Sequence, residues 1–247
     1  MSSLTHSFER RLQLTGAYNV RDLGGYLTRD GQTTRWGRFF RADGLHRLTE
    51  NDRKTLLEKG VGTVIDLRHE YEVSEFKNVF TDSQEVAYHN VSLINPATTE
   101  RQDINSLGEL YVEMLDHVQP QLLRVFRLLA AEDGQAALFH CSAGKDRTGV
   151  TAALLLDLAG VPEDTIIADY ALTGECIAPM IEELRKGKPD SVPSESFEKF
   201  LGSDPANMAM MLEHLDAKYG GAESYLASIG LTIQEIDALR SKLLEEI

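Results

Sequence analysis

The stretch from Gln135 to Leu158 constrains this chain most. Gln135-Ala136-Ala137-Leu138-Phe139 is short and apolar, as a buried strand is, and Val150 to Leu158 is rich in Ala and Leu, as a buried helix is. Between them lies His140-Cys141-Ser142-Ala143-Gly144-Lys145-Asp146-Arg147-Thr148-Gly149. A loop leaving the carboxyl end of a strand for the amino end of a helix is where open α/β folds collect anions. Five residues stand between Cys141 and Arg147, so the loop can curl and aim successive backbone N–H groups at one centre. A phosphate fits there, with the Arg147 guanidinium closing the ring through two parallel hydrogen bonds. The same dipoles and cation favour the thiolate of Cys141, which puts a nucleophile beside an anion site. The plainer reading is a buried cysteine in a strand-to-helix turn. Against it, His, Cys, Gly, Arg and Thr all stand at the offsets an anion cradle requires.

The flanking sequence reads as α/β, with a central, mostly parallel sheet between helices. Residues 17–41 read as extended, with Asp30-Gly31 turning a hairpin between Tyr26-Leu27-Thr28 and the stretch from Arg35 to Arg41. Gly24-Gly25 marks unusual dihedrals or a close backbone approach. Thr49 caps a helix that Gly60 stops, and Val61 to Leu67 follows as a buried strand. Glu85 to Leu93 is a further strand candidate, and Asn95 to Thr99 opens a polar connection. Helical spacing from Leu107 to Ala131 is broken at Pro120, which predicts two helices. Strand 135–140 and helix 147–160 complete the core, and Pro162 opens a helix through Leu172. Helical candidates at 176–186 and 194–202 flank a linker-like Lys186 to Pro193. Helices near 205–219 and 232–246 close the chain, the last with a capping box at Thr232 and Glu235 and an apolar stripe of Ile233, Ile236, Leu239 and Leu243. This organisation predicts one domain over 1–247.

Charge narrows the partners. The net charge is −14, which argues against nucleic acid and against general adhesion to anionic membranes. Residues 1–60 carry eleven Lys/Arg against seven Asp/Glu, whereas Asp157 onward carries seven against eighteen. An anionic substrate is therefore expected in a local positive pocket. No run reaches the ~18 apolar residues of a membrane span. The start lacks a charged-then-apolar leader, and two cysteines make no disulfide framework. A cytoplasmic location is expected, with export left open. Cys176 reads as an inert buried thiol, with a protective disulfide to Cys141 as the alternative. The histidines other than His140 show no metal spacing, so neither metal nor cofactor is expected.

The Cys-x5-Arg signature is that of the cysteine-dependent phosphatases. Its Gly-Lys-Asp-Arg-Thr-Gly ending, together with Asn19-Val20-Arg21-Asp22-Leu23-Gly24-Gly25, Phe40-Arg41-Ala42-Asp43-Gly44-Leu45 and Val64-Ile65-Asp66-Leu67-Arg68, resembles the bacterial tyrosine phosphatase family. That family contains the secreted mycobacterial and listerial phosphatases acting on phosphotyrosine and phosphoinositides. The resemblance is clear over about residues 15–175 and looser beyond. It implies a protein-tyrosine-phosphatase-like fold with a helical C-terminal extension over 205–247. It also implies a helical lid at 173–205, where the residues themselves fit a surface helical hairpin equally well. Phosphotyrosine proteins or phosphoinositides would be substrates and inorganic phosphate a product. The oligomeric state is not legible.

For the site, the expected chemistry is in-line attack by Cys141 and hydrolysis of the thiophosphoryl intermediate. Backbone amides of Ser142, Ala143, Gly144, Lys145, Asp146 and Arg147 would bind the phosphoryl oxygens. Ser142 and Ala143 are small, Gly144 permits the turn, and Lys145 adds positive charge suited to highly charged substrates. His140 braces the loop, and Thr148 would hydrogen-bond the thiolate. No Trp-Pro-Asp acid loop exists, because Trp36 is the sole tryptophan and Gly37 follows it. The resemblance implies that Asp146 is the general acid. Its rival role is to anchor Arg21 or Arg41, and Asp66 is the second acid candidate. Competing functions are a phosphoinositide phosphatase on the same site, an idle phosphate-binding module, and a thiol-based redox enzyme, sulfurtransferase or arsenate reductase.

Overall fold

A computed structural model of the chain describes residues 10–94, 104–131, 134–186, 188 and 194–245. The strands are β1 (Arg21–Asp22), β2 (Phe39–Ala42), β3 (Val61–Asp66), β4 (Ala87–Asn90) and β5 (Ala136–His140). Among the described residues they form one five-stranded sheet in the order β1-β2-β5-β3-β4. Only the β1–β2 pair is antiparallel. Burial on both faces shows in β2, β3 and β5, every residue of which is buried, Arg41, Thr63 and Asp66 included. Side chains nevertheless separate by a period of two. Phe39, Ile65, Ala137 and Phe139 join one core cluster, while Phe40, Val64, Ala136 and Leu138 join the other.

The helices are α1 (Glu50–Glu58), α2 (Glu70–Glu75), α3 (Leu107–His117), α4 (Gln119–Ala130), α5 (Asp146–Leu158), α6 (Glu163–Ala171), α7 (Thr173–Cys176), α8 (Ala178–Lys186), α9 (Ser194–Leu201), α10 (Pro205–Tyr219), α11 (Ala222–Ser228) and α12 (Ile233–Leu243). α1 and the amino-terminal segment cover one face, and α3–α6 with α10–α12 cover the other. α5 is buried nearly all round, which its Ala/Leu composition permits. α10 packs Met208, Met211, Leu212 and Leu215 into the same cluster as the sheet, so the C-terminal helices share the sheet's core.

Register decides where the site falls. Ala42 lies opposite His140, His140 opposite Asp66, and Asp66 opposite Asn90. The parallel strands therefore end at one level, and the loops that follow them crowd together at that rim.

Several expectations need correction. Residues 17–41 are largely irregular, and the hairpin reduces to a single bridge, Leu27–Thr33, around Gly31 at φ +84°. Short polar residues satisfy that backbone instead: Thr28 and Thr34 hydroxyls bond neighbouring main-chain groups. Gly25 has φ +76°, and a Cβ there would stand 2.2 Å from the Trp36 ring, so a close approach does require glycine. α2 and α11 have no counterpart in the sequence reading. α2 buries none of its six residues, so it offers no apolar periodicity to detect. The stripe on α12 starts at Ile236, since Ile233 is 73% exposed. Its first turn belongs to the capping box of Thr232 and Glu235, which sits at the surface. The connection begun at Asn95 and most of the linker after Lys186 lie outside the described residues.

Candidate active site

β5 delivers Cys141 to the rim with 1% of its surface exposed. The loop that follows is shaped by what holds its carbonyls. Asn19 Nδ2 donates to the carbonyls of Ala143 (2.9 Å) and Gly144 (3.1 Å), and Arg41 Nη2 donates to that of Gly144 (2.8 Å). The N–H of Gly44 reaches the Ser142 carbonyl at 2.9 Å. With the carbonyls drawn outward, the N–H groups of residues 142–147 are left without a backbone acceptor among the described residues, as in an anion-binding nest. Gly144 makes the turn at φ +67°. A Cβ on it would lie 2.5 Å from the Ala42 carbonyl oxygen, so no other residue fits.

The two arginines that support this loop are themselves fixed by one carboxylate. Asp169, on α6, pairs with Arg41 Nη1 at 2.5 Å and Arg21 Nε at 3.4 Å, and it accepts from the Tyr26 hydroxyl at 2.8 Å. Arg21 also donates to Asn19 Oδ1. Burial opposes the charge on Asp169, but Arg41 and Arg21 outweigh it and hold the carboxyl well below its ordinary range. Asp146 therefore does not anchor Arg21 or Arg41; Asp169 does.

Arg147 stands at the first turn of α5. Burial works against its charge, yet Cys141, Glu72 and Asp146 around it raise its pKa above the ordinary value. Its Nη1 and Nη2 donate to Glu72 Oε2 and Oε1 at 2.6 and 3.0 Å. The Ser142 hydroxyl also donates to Glu72 Oε1. Glu72 was not anticipated from the sequence. The signal available was a capping box, His69 with Glu72, directly after Asp66-Leu67-Arg68.

Asp146 is partly exposed, with Oδ1 accepting from the Tyr111 hydroxyl at 2.6 Å. Tyr111 in turn meets the Tyr170 hydroxyl at 2.7 Å. Burial, with Asp146 and Tyr170 adjoining, pushes the Tyr111 phenol well above its ordinary pKa, so it stays a neutral donor. Lys145 points away from the anion site. Its Nζ donates to the carbonyls of Phe200 and Gly202, the latter at 3.0 Å, and lies 3.6 Å from Asp146 Oδ1. The carboxyl end of α9 thus captures the cation expected to face the substrate, because unpaired helix carbonyls attract a buried ammonium.

His140 is fully buried at the start of the loop and contacts its backbone. His140 Nε2 lies 2.8 Å from Asn78 Nδ2 and 3.4 Å from Asp66 Oδ2. His140 Nδ1–H donates to the Cys141 carbonyl at 3.0 Å. The Thr148 hydroxyl is fully buried and has no hydrogen-bond partner among the described residues, so the bond to Cys141 read from the sequence is not formed. Asp66 is displaced as an acid candidate. It is buried, paired with Arg68 at 2.7 Å and bonded to Tyr88 at 2.9 Å. Burial opposes ionisation, but His140 and Arg68 overcome it and hold the carboxyl far below its ordinary pKa, so it has no proton to give. Cys176 is buried with its sulfur 3.7 Å from Arg21 Nη1. Among the described residues no group of three or more metal-binding side chains stands together, and no helix is long and apolar enough to cross a membrane.

A buried thiol, loop amides without a backbone acceptor among the described residues and a guanidinium at a helix start meet at this rim. Residues 12–245 match the model of the tyrosine phosphatase family. A tyrosine-protein phosphatase of Nostoc commune is 38% identical over 223 residues, covering 83% of this chain and 74% of its own. The triple specificity protein phosphatase PtpB of Mycobacterium tuberculosis is 28% identical over 277 residues, covering 94% and 98%. A crystal structure of TpbA from P. aeruginosa overlays 72% of this chain and 89% of its own with a TM-score of 0.35 and 18% identity, too loose a likeness to carry an argument. The chain belongs to the tyrosine phosphatase family. Its activity class is that of a phosphoric monoester hydrolase of the protein-tyrosine-phosphatase type.

Proposed function

We propose that this protein hydrolyses phosphotyrosine, and phosphate monoesters more broadly, through a cysteinyl-phosphate intermediate formed on Cys141. The observation that carries this reading is the set of N–H groups of residues 142–147, unspent on any backbone acceptor among the described residues, in the loop that runs from Cys141 to Arg147. The thiolate sulfur attacks phosphorus, and the P–O bond to the leaving group breaks as Asp146 gives that oxygen a proton. Water then attacks phosphorus, Asp146 takes the water's proton, and the S–P bond breaks to return the thiolate and inorganic phosphate. The loop amides and Arg147 hold the equatorial oxygens where charge spreads in a loose transition state. The acid role of Asp146 is supported by its place beside Arg147 and by the Tyr111 bond that fixes one of its oxygens. No metal enters this scheme.

Broad specificity has support in the name of the mycobacterial relative, a triple specificity phosphatase. A phosphoinositide preference draws less, since the Lys145 ammonium is held by the carbonyls of Phe200 and Gly202. The lid over 173–205 is proposed on the same contact, which ties the end of α9 to the signature loop. The test is turnover of a phosphotyrosine peptide, a phosphoserine peptide and inositol phospholipids without divalent metal. Wild type should favour phosphotyrosine, and Cys141→Ser should lose turnover by more than about 1,000-fold on every substrate while still binding tungstate. Turnover surviving in Cys141→Ser would remove the covalent route.

A further inference from the structure

Glu72 lies outside the signature loop, on a helix without an apolar face, yet its carboxylate is fully engaged at the site. Oε2 accepts from Arg147 Nη1 at 2.6 Å and from the His69 N–H at 2.9 Å. Oε1 accepts from Arg147 Nη2 at 3.0 Å and from the Ser142 hydroxyl. An anion this close to an anion site has two readings. As a plug it would imitate the phosphoryl group and occupy the cradle. As a brace it would hold the cradle's walls from outside.

The donors separate the two. A carboxylate in the cradle would collect the N–H groups of residues 142–147, and none of these donates to Glu72 among the described residues. From the signature loop Glu72 takes side chains only, its one backbone donor being His69 of its own helix cap. It also takes the end-on edge of the guanidinium, Nη1 with Nη2, and leaves the side-on edge of Nε with Nη2 facing a second bidentate partner, with Nη2 reaching the Ser142 hydroxyl only at a long 3.5 Å. Finally, it bonds both Ser142, the first residue after the nucleophile, and Arg147, which closes the ring. We propose that Glu72 is a positioning residue: it clamps the end-on edge of Arg147 to Ser142 and so presents the Nε–Nη2 edge to the phosphoryl oxygens. This rests on the phosphatase reading above and deepens it. The carboxylate is suited to permanent duty, since burial opposes its charge but Arg147 and Ser142 lower its pKa to about 2. A preset guanidinium serves the transition state most, because the fork need not be ordered as the charge develops.

The experiment compares full-length wild type, Glu72→Ala and Glu72→Gln, each checked for folding by circular dichroism. On a phosphotyrosine peptide, Glu72→Ala should lower kcat by about 30-fold and change KM by less than about threefold, the split expected when only transition-state contacts are lost. Glu72→Gln, which keeps one acceptor, should fall between, and it carries the test if the alanine variant does not fold. In the Cys141→Ser background, the Arg147 Nε–H resonance should shift sharply when tungstate binds, and should broaden when Glu72→Ala is added. A lower KM, tighter tungstate binding and unchanged kcat in Glu72→Ala would make Glu72 a plug and overturn the proposal. Unchanged kcat, binding and Nε–H signal together would overturn it as well. Should wild type turn over no phosphate ester, the phosphatase reading fails, while the tungstate titration still decides what Glu72 does.

Discussion

At the scale of single residues, two aspartates of the rim sit in different surroundings. Asp66 is buried among Arg68, His140 and Tyr88 and is held ionised, whereas Asp146 is partly exposed, next to Arg147, with one oxygen bonded by the Tyr111 hydroxyl. The acid role proposed for Asp146 rests on that placement. Asp146→Ala should therefore lower kcat on a phosphotyrosine peptide by about 100-fold, and on aryl phosphates with good leaving groups by only about threefold. Parallel kinetics on the two substrates would check this, and equal losses would strip Asp146 of the role. The turn at Gly144 was legible from the residue type, because its positive φ is a conformation glycine alone adopts freely, and Cys141 and Arg147 stood out as candidates by their chemistry. The direction of Lys145 was not legible. A lysine's long stem can serve a substrate or a helix end with the same sequence around it, and here the carbonyls at the end of α9 take it.

At the scale of elements, one side chain on α6 steadies two strands and the loop between strand and helix. Asp169 pairs with Arg21 of β1 and Arg41 of β2, and Arg41 also holds the Gly144 carbonyl. Removing one partner of such a buried cluster strands the remaining charges. Asp169→Asn should destabilise the fold by about 3–5 kcal/mol, read as a fall in the urea midpoint, with a loss of kcat as the loop loses its support. A change smaller than about 1 kcal/mol would mean that the arginines find other partners or solvent. α4 was visible in the sequence because its burial is written into its spacing, and α5 because an Ala/Leu-rich run declares a helix buried nearly all round. α2 was not, since it is held by its cap and by Glu72 rather than by a buried face.

At the scale of the whole molecule, depressed carboxyls tie stability to pH, three of them at or beside the site. Glu72 falls from 4.5 to about 2, and Asp66 and Asp169 lie below their ordinary 3.8. In each case the native state prefers the ionised form, so the stabilisation is present above the unfolded pKa and is lost as pH falls through the native one. The urea midpoint should hold down to about pH 5 and then drop steeply toward pH 2, with a shallower drop in Asp169→Asn. A midpoint insensitive to acid in this window would contradict the ion pairs described. The sequence by itself determined the α/β class and the helices and strands with strong periodicity, and it singled out Cys141 and its loop as the candidate nucleophile and anion site, since these rest on local spacing and on residue chemistry. Tertiary structure decided the rest. The Asn19 and Arg41 supports, the Asp169 hub, the Glu72 clamp and the Tyr111 bond to Asp146 join residues 35 to 148 positions apart. Such pairings come from strand register and helix packing, which no local pattern specifies.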